Sequence, residues 1–344
     1  MPELPEVETI ARELRPLILG ERLAGFRTDW PRSVRHPEPA LFSARVAGRR
    51  VERVERRAKW ILVDLDDGAV IAIQVKMTGQ LFVLPADAPA DPHVHLVFPL
   101  GSGRELRIRD VRKFARVALY ERQPGGGIVG PGGVDPLAEI GPEPLAPDFT
   151  VARFRERLRG RRSRLKPLLL DQSFLAGVGN IYADEALWRA RLHPLRSAAT
   201  LRPAQERALW IAIRSVLTEG IERRGSSIDD YTAPGGDGEM QEHLAVYQRT
   251  GTPCPRCGRP IRRIVLGIRS THFCGWCQRL PAAERSAGNR ALLAAARRTT
   301  RRGPRWSELP TGAGAVGARP AARRKGKPDT APARAGGPAA GGSR

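Results

Sequence analysis

All four cysteines of this 344-residue chain lie in two Cys-x-x-Cys pairs, Cys254–Cys257 and Cys274–Cys277, with sixteen residues between the pairs. Two such pairs at this distance are typical of a tetrahedral zinc site with four cysteine ligands. Disulfides are rare in the cytosol, and a redox pair would not need a second copy. We therefore predict one structural Zn²⁺ ion, because four thiolates close its coordination sphere. The residues between the pairs predict a β-hairpin that turns near Gly267.

The net charge of the chain indicates a polyanionic partner. The sequence has 58 Lys and Arg residues against 36 Asp and Glu residues, a formal charge of +22, which fits DNA, RNA or an anionic membrane surface. It has no run of about twenty apolar residues that could span a bilayer. The N-terminus also lacks the basic and apolar regions of a signal peptide. We therefore expect a cytoplasmic protein.

The C-terminal segment carries much of this charge. Residues 281–344 hold 14 basic residues but only three acids, and they are rich in Ala, Gly and Pro. Such a composition cannot bury enough apolar surface to offset its ordering entropy. We predict a disordered basic tail that attracts phosphate without sequence preference.

The chain begins Met1-Pro2-Glu3-Leu4-Pro5-Glu6, and removal of Met1 would free the ring nitrogen of Pro2 as a secondary amine. The pKa of an N-terminal amine is about 8, so part of it is nucleophilic at physiological pH. Its attack on a sugar aldehyde carbon gives an iminium ion, an electron sink of the Schiff-base type. Glu3 could donate and take the protons. Alternatively, these prolines and carboxylates only begin a helix.

Hydrophobic periodicity divides the rest of the chain. Apolar residues at helical spacing predict a helix over residues 5–18 and a helical region from about 150 to 224. Between them, short apolar runs separated by turns predict an antiparallel sandwich or barrel. The predicted strands cover residues 45–54, 60–65, 70–75, 94–98, 106–109 and 116–120.

These patterns predict an α+β protein with an N-terminal helix, an antiparallel β-sandwich, a helical domain and the cysteine hairpin. A Pro- and Gly-rich stretch separates the first two domains, and a loop rich in Gly and Ser covers residues 225–241. The predicted segments are 2–123, 124–148, 149–249, 250–280 and 281–344.

The turn Gly177-Val178-Gly179-Asn180 joins two predicted helices. Glycines allow a phosphate to approach the backbone, and a helix N-terminus offers free N–H groups at its positive end. Asn180 could cap the second helix or donate its amide to a phosphate. A plain capped helical hairpin explains the same residues.

The chain resembles the formamidopyrimidine-DNA glycosylase family over residues 2–280. The resemblance rests on four features in order: Pro-Glu-Leu-Pro-Glu, the sandwich, the helical hairpin and the four-cysteine module. It implies a bifunctional enzyme that removes oxidised purines, namely 8-oxoguanine and formamidopyrimidines, and then cleaves the strand by β- and δ-elimination. It also implies a helix–two-turn–helix domain, a loop at 225–241 that closes over the flipped base, and action on nucleoid DNA with oxidised bases or abasic sites. The sequence gives no sign of oligomerisation, and we expect a monomer as the default for an enzyme that scans DNA.

The resemblance assigns roles to individual residues. Pro2 matches the Schiff-base nucleophile that attacks C1′, and Glu3 matches the acid that protonates the opening sugar. Lys59 matches a lysine that contacts phosphate near the lesion. The implied catalytic residues are Pro2, Glu3, Lys59 and Arg269, and the implied DNA-binding residues are Glu6, Met77, Arg112, Phe114, Lys166, Asn180 and Arg269.

Chemistry at C1′ requires the damaged nucleotide to leave the base stack. In the family a methionine and an Arg-x-Phe pair fill the resulting gap, and Met77, Arg112 and Phe114 occupy the matching positions. The sequence departs from the family pattern at Gln74, where a histidine is expected, and at Lys76, which replaces a glycine. The predicted linker and the tail are also longer than is usual.

Alternatives from other classes stay open. The sister endonuclease VIII branch prefers oxidised pyrimidines, but Leu4 stands where that branch has glycine, and Asp110-x-Arg112-x-Phe114 is of the purine type. A non-catalytic zinc-finger DNA-binding protein would keep the fold, although binding alone does not need the Pro2 amine. A basic ribosomal or membrane-surface protein explains the charge but none of the motifs.

Overall fold

The computed structural model describes residues 2–227 and 235–301. Its N-terminal half starts with an amphipathic helix whose apolar residues Val7, Ile10 and Leu14 are fully buried, as the predicted helix requires. The helices and strands of this half are α1 (Leu4–Ile18), β1 (Arg27–Thr28), α2 (Pro39–Val46), β2 (Val51–Arg57), β3 (Trp60–Leu65), β4 (Ala69–Gln74), β5 (Gln80–Pro85), β6 (Val94–Pro99), β7 (Arg104–Arg109), β8 (Arg116–Arg122) and β9 (Ile128–Val129).

These strands form two antiparallel sheets with a shared core. One sheet has the order β1-β6-β7-β5 and the other the order β2-β3-β4-β8-β9. Side chains alternate along β4, so that Ile71 and Ile73 join the core between the sheets and α1, while Val70 and Ala72 pack on the opposite face. The predicted β-sandwich is confirmed.

The strand predicted over residues 45–54 is wrong in its first part. The Glu38 carboxylate accepts hydrogen bonds from the backbone N–H groups of Ala40 and Leu41 and begins α2, which ends at Val46. The extended chain starts only at Val51. An acidic N-cap before a proline was the signal for this helix.

The second half is helical and has its own core. Its helices are α3 (Val151–Leu158), α4 (Leu165–Leu170), α5 (Asn180–Arg189), α6 (Pro203–Glu222) and α7 (Met240–His243). The core includes Phe154, Tyr182 and Val216, and Leu4 of α1 is buried in it as well. Because α1 contributes to both cores, the chain's first residues lie where the two halves meet. No helix within the described ranges is long and apolar enough to cross a membrane.

The cysteine pairs flank an antiparallel hairpin of β10 (Arg262–Leu266) and β11 (Arg269–Phe273), as predicted. The structure differs from the predicted disordered tail in its first part. A helix, α8 (Ala287–Arg301), follows the hairpin. Ala296 of this helix and Leu280 before it are buried in a cluster with residues of the hairpin. Composition averaged over 64 residues concealed these few apolar contacts. The prediction for residues after 301 lies outside the described residues.

Candidate active site and zinc centre

A cavity of about 480 Å³ lies where α1, the β2–β3 turn, the α5 N-terminus and the β10–β11 turn meet. Pro2, Glu3, Lys59, Asn180 and Arg269 all line it. These residues are far apart in sequence, and the resemblance predicted a shared site for them. The fold therefore places around one nucleotide-sized space the Pro2 nitrogen, which becomes a secondary amine when Met1 is removed, together with a carboxylate and two cationic side chains.

Glu3 is held by the backbone of the helical half. Its carboxylate accepts hydrogen bonds from the N–H groups of Gly179 and Ile181, both at 2.8 Å, and of Tyr182 at 3.3 Å. These donors are the free N–H groups at the positive end of α5. A carboxylate 176 residues away in sequence therefore caps this helix, and Glu3 is fixed in the cavity wall.

The glycines of this turn have a different role from the predicted one. A Cβ on Gly179 would lie 2.3 Å from Glu3 Cδ, and a Cβ on Gly177 would lie 2.6 Å from Leu4 Cβ. Gly177 also has a φ of +76°, and its carbonyl accepts the Leu4 N–H. Both glycines therefore make room for the N-terminal segment of the protein itself, where phosphate was expected. Pro2 and Glu3 are placed by this contact.

Glu6 fixes the same N-terminal segment through hydrogen bonds to its carboxylate. Its carboxylate accepts hydrogen bonds from the Glu3 N–H at 2.9 Å, the Tyr182 hydroxyl at 2.7 Å and the Ser226 N–H at 2.8 Å. Burial raises the pKa of Glu6, and the charge of Glu3 raises it further, while these hydrogen bonds oppose the rise. The side chain was predicted to bind DNA. It is 1% exposed and holds protein donors, which fits a positioning role better.

Lys59 is carried by a strained two-residue turn between β2 and β3. Its neighbour Ala58 has a φ of +52°, a conformation that normally selects glycine. The Glu143 carboxylate accepts the Ala58 N–H at 2.6 Å and binds the guanidinium groups of Arg56 and Arg57 at 2.7 and 2.9 Å. Such strain persists where the surroundings over-determine the backbone. Glu143, inside the predicted linker, is thus a site residue that sequence reasoning missed.

The electrostatics of Lys59 reflect this placement. Burial lowers the pKa of its ammonium group, and the nearby charges of Glu3 and Glu6 oppose that effect, while Arg269 adds to it. The two carboxylates thus counter the effect of burial on a lysine that lines the same cavity as Pro2. An ammonium there can stabilise a phosphate that enters the cavity.

Asn180 lines the cavity but does not cap α5, since no side-chain cap hydrogen bond is made. Its Oδ1 atom is buried and has no hydrogen-bond partner in the described residues. The capping role is therefore not observed, and donation of the Asn180 amide to a phosphate stays a prediction. Arg269 is exposed at the start of β11.

Lys166 does not fit its predicted contact with DNA. Its side chain is 0% exposed, and Nζ donates to Asp184 Oδ1 at 2.6 Å and to the Ser270 carbonyl at 3.1 Å. Burial lowers its pKa, which the Asp184 charge counters. Asp184 Oδ2 also accepts the His272 N–H at 2.8 Å. This pair therefore ties the helical half to the hairpin that carries Arg269, and no signal in the sequence indicated the burial.

The three predicted gap-filling residues come together beside the cavity. Arg112 Nη1 lies 3.4 Å from Met77 Sδ, and its guanidinium lies over the Phe114 ring at 4.7 Å. Phe114 is 40% exposed although it is aromatic. The buried Asp110 carboxylate holds the loop, because it accepts the N–H groups of Arg112 and Ala115 and the Thr78 hydroxyl. An exposed apolar and cationic group of this kind suits insertion into a base stack.

Lys76 explains why a glycine was expected at its position. It has a φ of +54° and lines the cavity next to Gln74 and Met77. Burial lowers the pKa of Lys76, and the charges of Arg116 and Arg35 lower it further. This chain therefore accepts backbone strain to bring another cation to the cavity.

The predicted loop over residues 225–241 is described only at its two ends, and residues 228–234 lie outside the described residues. At the first end, Gly225 has a φ of +77° and lies against Glu6, and the Ser226 N–H donates to that carboxylate. At the other end, Gly238 N–H donates to Ser227 Oγ. The loop begins directly at the cavity wall.

The four cysteine sulfurs lie within 4.8 Å of one another. The Cys254–Cys277 and Cys257–Cys274 sulfurs are 4.0 and 3.5 Å apart. Tetrahedral zinc with Zn–S bonds of about 2.3 Å requires sulfurs about 3.8 Å apart. The donor set fits one structural zinc ion, with no position left for a catalytic water.

Three family models match the chain. They describe the formamidopyrimidine-DNA glycosylase N-terminal domain at residues 1–117, the formamidopyrimidine-DNA glycosylase H2TH domain at 140–232, and a zinc finger found in FPG and IleRS at 251–280. The last match agrees with the closed cysteine site and confirms the prediction of one structural zinc.

Individual relatives agree with these matches. A formamidopyrimidine-DNA glycosylase from Herpetosiphon aurantiacus is 48% identical over 281 residues, covering 81% of this chain and all of the relative. Two solved structures are 34% identical with a TM-score of 0.72, and each covers 81% of this chain and 100% of its own. One is Lactococcus lactis Fpg with an abasic site containing DNA, and the other is MutM with carbocyclic 8-oxo-G containing DNA. The chain therefore belongs to the formamidopyrimidine-DNA glycosylase family.

Proposed function

We propose that the protein is a bifunctional DNA glycosylase and abasic-site lyase that removes oxidised purines in base excision repair. The observation that carries this proposal is the position of Pro2 in the wall of the same cavity that the anchored Glu3 and Lys59 also line. A binding protein has no use for a terminal secondary amine in a nucleotide-sized cavity. The relatives solved with 8-oxo-G and abasic-site DNA support the substrate class.

In the proposed reaction, the Pro2 nitrogen forms a bond to C1′ as the bond from C1′ to the damaged base breaks, and the departing base takes up a proton in place of the one that the Pro2 amine loses. Glu3 protonates the sugar ring oxygen, and ring opening leaves an iminium ion between Pro2 and C1′. Loss of a C2′ proton then breaks the C3′–O bond and expels the 3′ phosphate. Loss of the C4′ proton from the conjugated product breaks the C5′–O bond and expels the 5′ phosphate. The backbone donors around Glu3 keep its carboxyl group beside the sugar in every step.

Binding is proposed to precede this chemistry. Lys59, Asn180 and Arg269 would hold phosphates around the flipped nucleotide, and the Met77–Arg112–Phe114 group would fill the gap left in the duplex. The basic charge of the chain favours encounter with DNA. We propose a monomer that acts in the cytoplasm on nucleoid DNA.

The test is borohydride trapping on duplexes that contain 8-oxoguanine opposite cytosine, an oxidised pyrimidine, or no lesion. Borohydride reduces the iminium, so we expect a covalent adduct chiefly with the 8-oxoguanine duplex. The matched control is the same protein with Met1 retained, in which the Pro2 nitrogen is an amide and no adduct is expected. An adduct chiefly with the pyrimidine duplex would move the chain to the endonuclease VIII branch. Tight binding without any adduct would leave a non-catalytic DNA-binding protein.

A further inference from the structure

Residues 281–296 pack on the β10–β11 hairpin between the two cysteine pairs, which we call the zinc hairpin. We name residues 281–296 the C-terminal brace. They lie beyond the zinc-finger match, which ends at residue 280. The Herpetosiphon relative is matched over its whole length by 81% of this chain. Membership of the family therefore does not account for the brace.

Polar contacts attach the brace to the helical half. The Glu284 carboxylate accepts the Ser197 N–H at 2.6 Å and the Thr200 hydroxyl at 2.7 Å, and it lies 3.6 Å from the Arg196 guanidinium. Asn289 is 7% exposed. Its Oδ1 accepts a hydrogen bond from Arg164 at 2.7 Å, and its Nδ2 donates to the Glu284 carbonyl at 2.8 Å. Buried and mutually satisfied polar groups of this kind define one packing arrangement.

Apolar contacts attach the brace to the hairpin. Ala296 is fully buried in a cluster with Ile264 and Phe273 of the hairpin, and Leu292 and Leu293 pack at the edge of this cluster. Leu195 of the helical half belongs to the same cluster. The brace therefore covers the joint between the hairpin and the helical half.

This joint lies next to a residue of the cavity. Leu266, the last residue of β10, also packs against the cluster, and it is directly paired with Arg269. Further along β11, the Ser270 carbonyl and the His272 N–H are held by Lys166 and Asp184. The strand that begins with Arg269 is thus fixed by the buried ion pair and by the surface that the brace completes.

We propose that the C-terminal brace is a positioning segment that holds the zinc hairpin on the helical half and thereby sets Arg269 in the cavity. The expected effect of the brace on DNA binding rests on the proposed function, since Arg269 is proposed to bind phosphate. The expected effect of the brace on zinc release is independent of the proposed function.

The first test therefore measures zinc release to a colorimetric chelator. The full chain is compared with chains ending at residue 303 and at residue 280. Loss of the brace should speed release at least about tenfold, because several buried contacts are removed. The chain ending at 303 should stay within about twofold of the full chain. Equal release from the two shortened chains would overturn the proposal.

A full-length variant controls for charge and for poor folding of the shortest chain. Leu292→Ala with Leu293→Ala keeps the charge and should also speed zinc release. The control, Ala291→Ser with Ala294→Ser, changes exposed positions on the same helix and should not. Identical release from the two double variants would contradict the packing argument.

The second test measures coupling to Arg269. Arg269→Gln is made in the full chain and in the Leu292→Ala/Leu293→Ala chain, and Kd is measured for duplex DNA with a stable abasic-site analogue. In the full chain, Arg269→Gln should raise Kd by some factor. This factor should be at least about threefold smaller in the Leu292→Ala/Leu293→Ala chain, because the effects of coupled sites do not add. An unchanged factor would show a merely structural brace. Absence of specific binding by every chain would instead refute the proposed function, with the zinc result still deciding the brace.

Discussion

Glu143→Gln should disturb the active site from outside the cavity. Glu143 does not line the cavity, yet its carboxylate joins the Ala58 N–H to Arg56 and Arg57 at the base of the turn that carries Lys59. A glutamine keeps the size of the side chain but removes its charge. It also presents an amide N–H to one of the groups that now donate to Glu143.

The expected cost follows from these three contacts. Glu143 is 19% exposed, and the Arg56 side chain is only 9% exposed, so solvent screens this ion pair weakly. Hydrogen bonds to charged groups contribute about 1.5–3 kcal/mol each, and contacts that share one carboxylate do not add fully. We expect a loss of about 3 kcal/mol in the free energy of unfolding. The trapping rate should fall roughly 10- to 100-fold, because a displacement of about 1 Å at a reacting group has that effect.

Urea unfolding and single-turnover borohydride trapping measure the two effects. Glu139→Gln is the matched control, since Glu139 is an exposed acid in the same segment. Adding Ala58→Gly to Glu143→Gln should recover about 1 kcal/mol, because glycine adopts positive φ without strain. The reasoning is refuted if Glu143→Gln matches Glu139→Gln in both stability and trapping rate.

Three further outcomes are expected. Lys76→Gly should raise the free energy of unfolding by about 1 kcal/mol by relieving positive φ, and should lower the slope of log Kd against log salt by about 0.9; unchanged values in urea unfolding and salt titration would contradict this. Burial, with the charges of Arg262 and Arg285, lowers the pKa of His193 to about 3. The unfolded chain therefore takes up a proton below about pH 6.5 that the folded chain does not, and stability falls toward pH 3 by about 1.4 kcal/mol per pH unit. His193→Asn, which keeps an acceptor for the Leu195 N–H, should remove that slope in urea unfolding between pH 5.5 and 4.5, and equal slopes would refute it. Zinc removal by a strong chelator should abolish binding to abasic-site DNA, and added Zn²⁺ should restore it, because the hairpin needs the metal to fold. Unchanged DNA binding by the zinc-free protein would contradict this.

Local patterns in the sequence predicted much of the fold. The cysteine spacing gave the zinc hairpin, and the 3.6-residue period gave α1. These features succeed because each is determined by residues close together in the chain. The resemblance supplied the residues of the cavity, and Pro2, Glu3, Lys59, Asn180 and Arg269 do line one space.

Contacts between distant residues were not predictable in this way. Glu3 caps α5, and Glu143 holds the Ala58 turn, although nothing in either local sequence indicates a partner. Gly179 was interpreted as space for phosphate because a glycine does not show which group approaches it. The composition of a long basic segment likewise concealed the brace, because its few apolar residues that pack on the hairpin are averaged with many polar ones.

The central claim is that the Pro2 nitrogen attacks the damaged nucleotide. The most direct measurement is peptide mapping by mass spectrometry of the complex trapped with borohydride on 8-oxoguanine DNA, after removal of Met1 has been verified. The account predicts that the reduced sugar remnant is attached to the N-terminal peptide at the Pro2 nitrogen. Attachment to Lys59 or Lys76, the other amines that line the cavity, would contradict it.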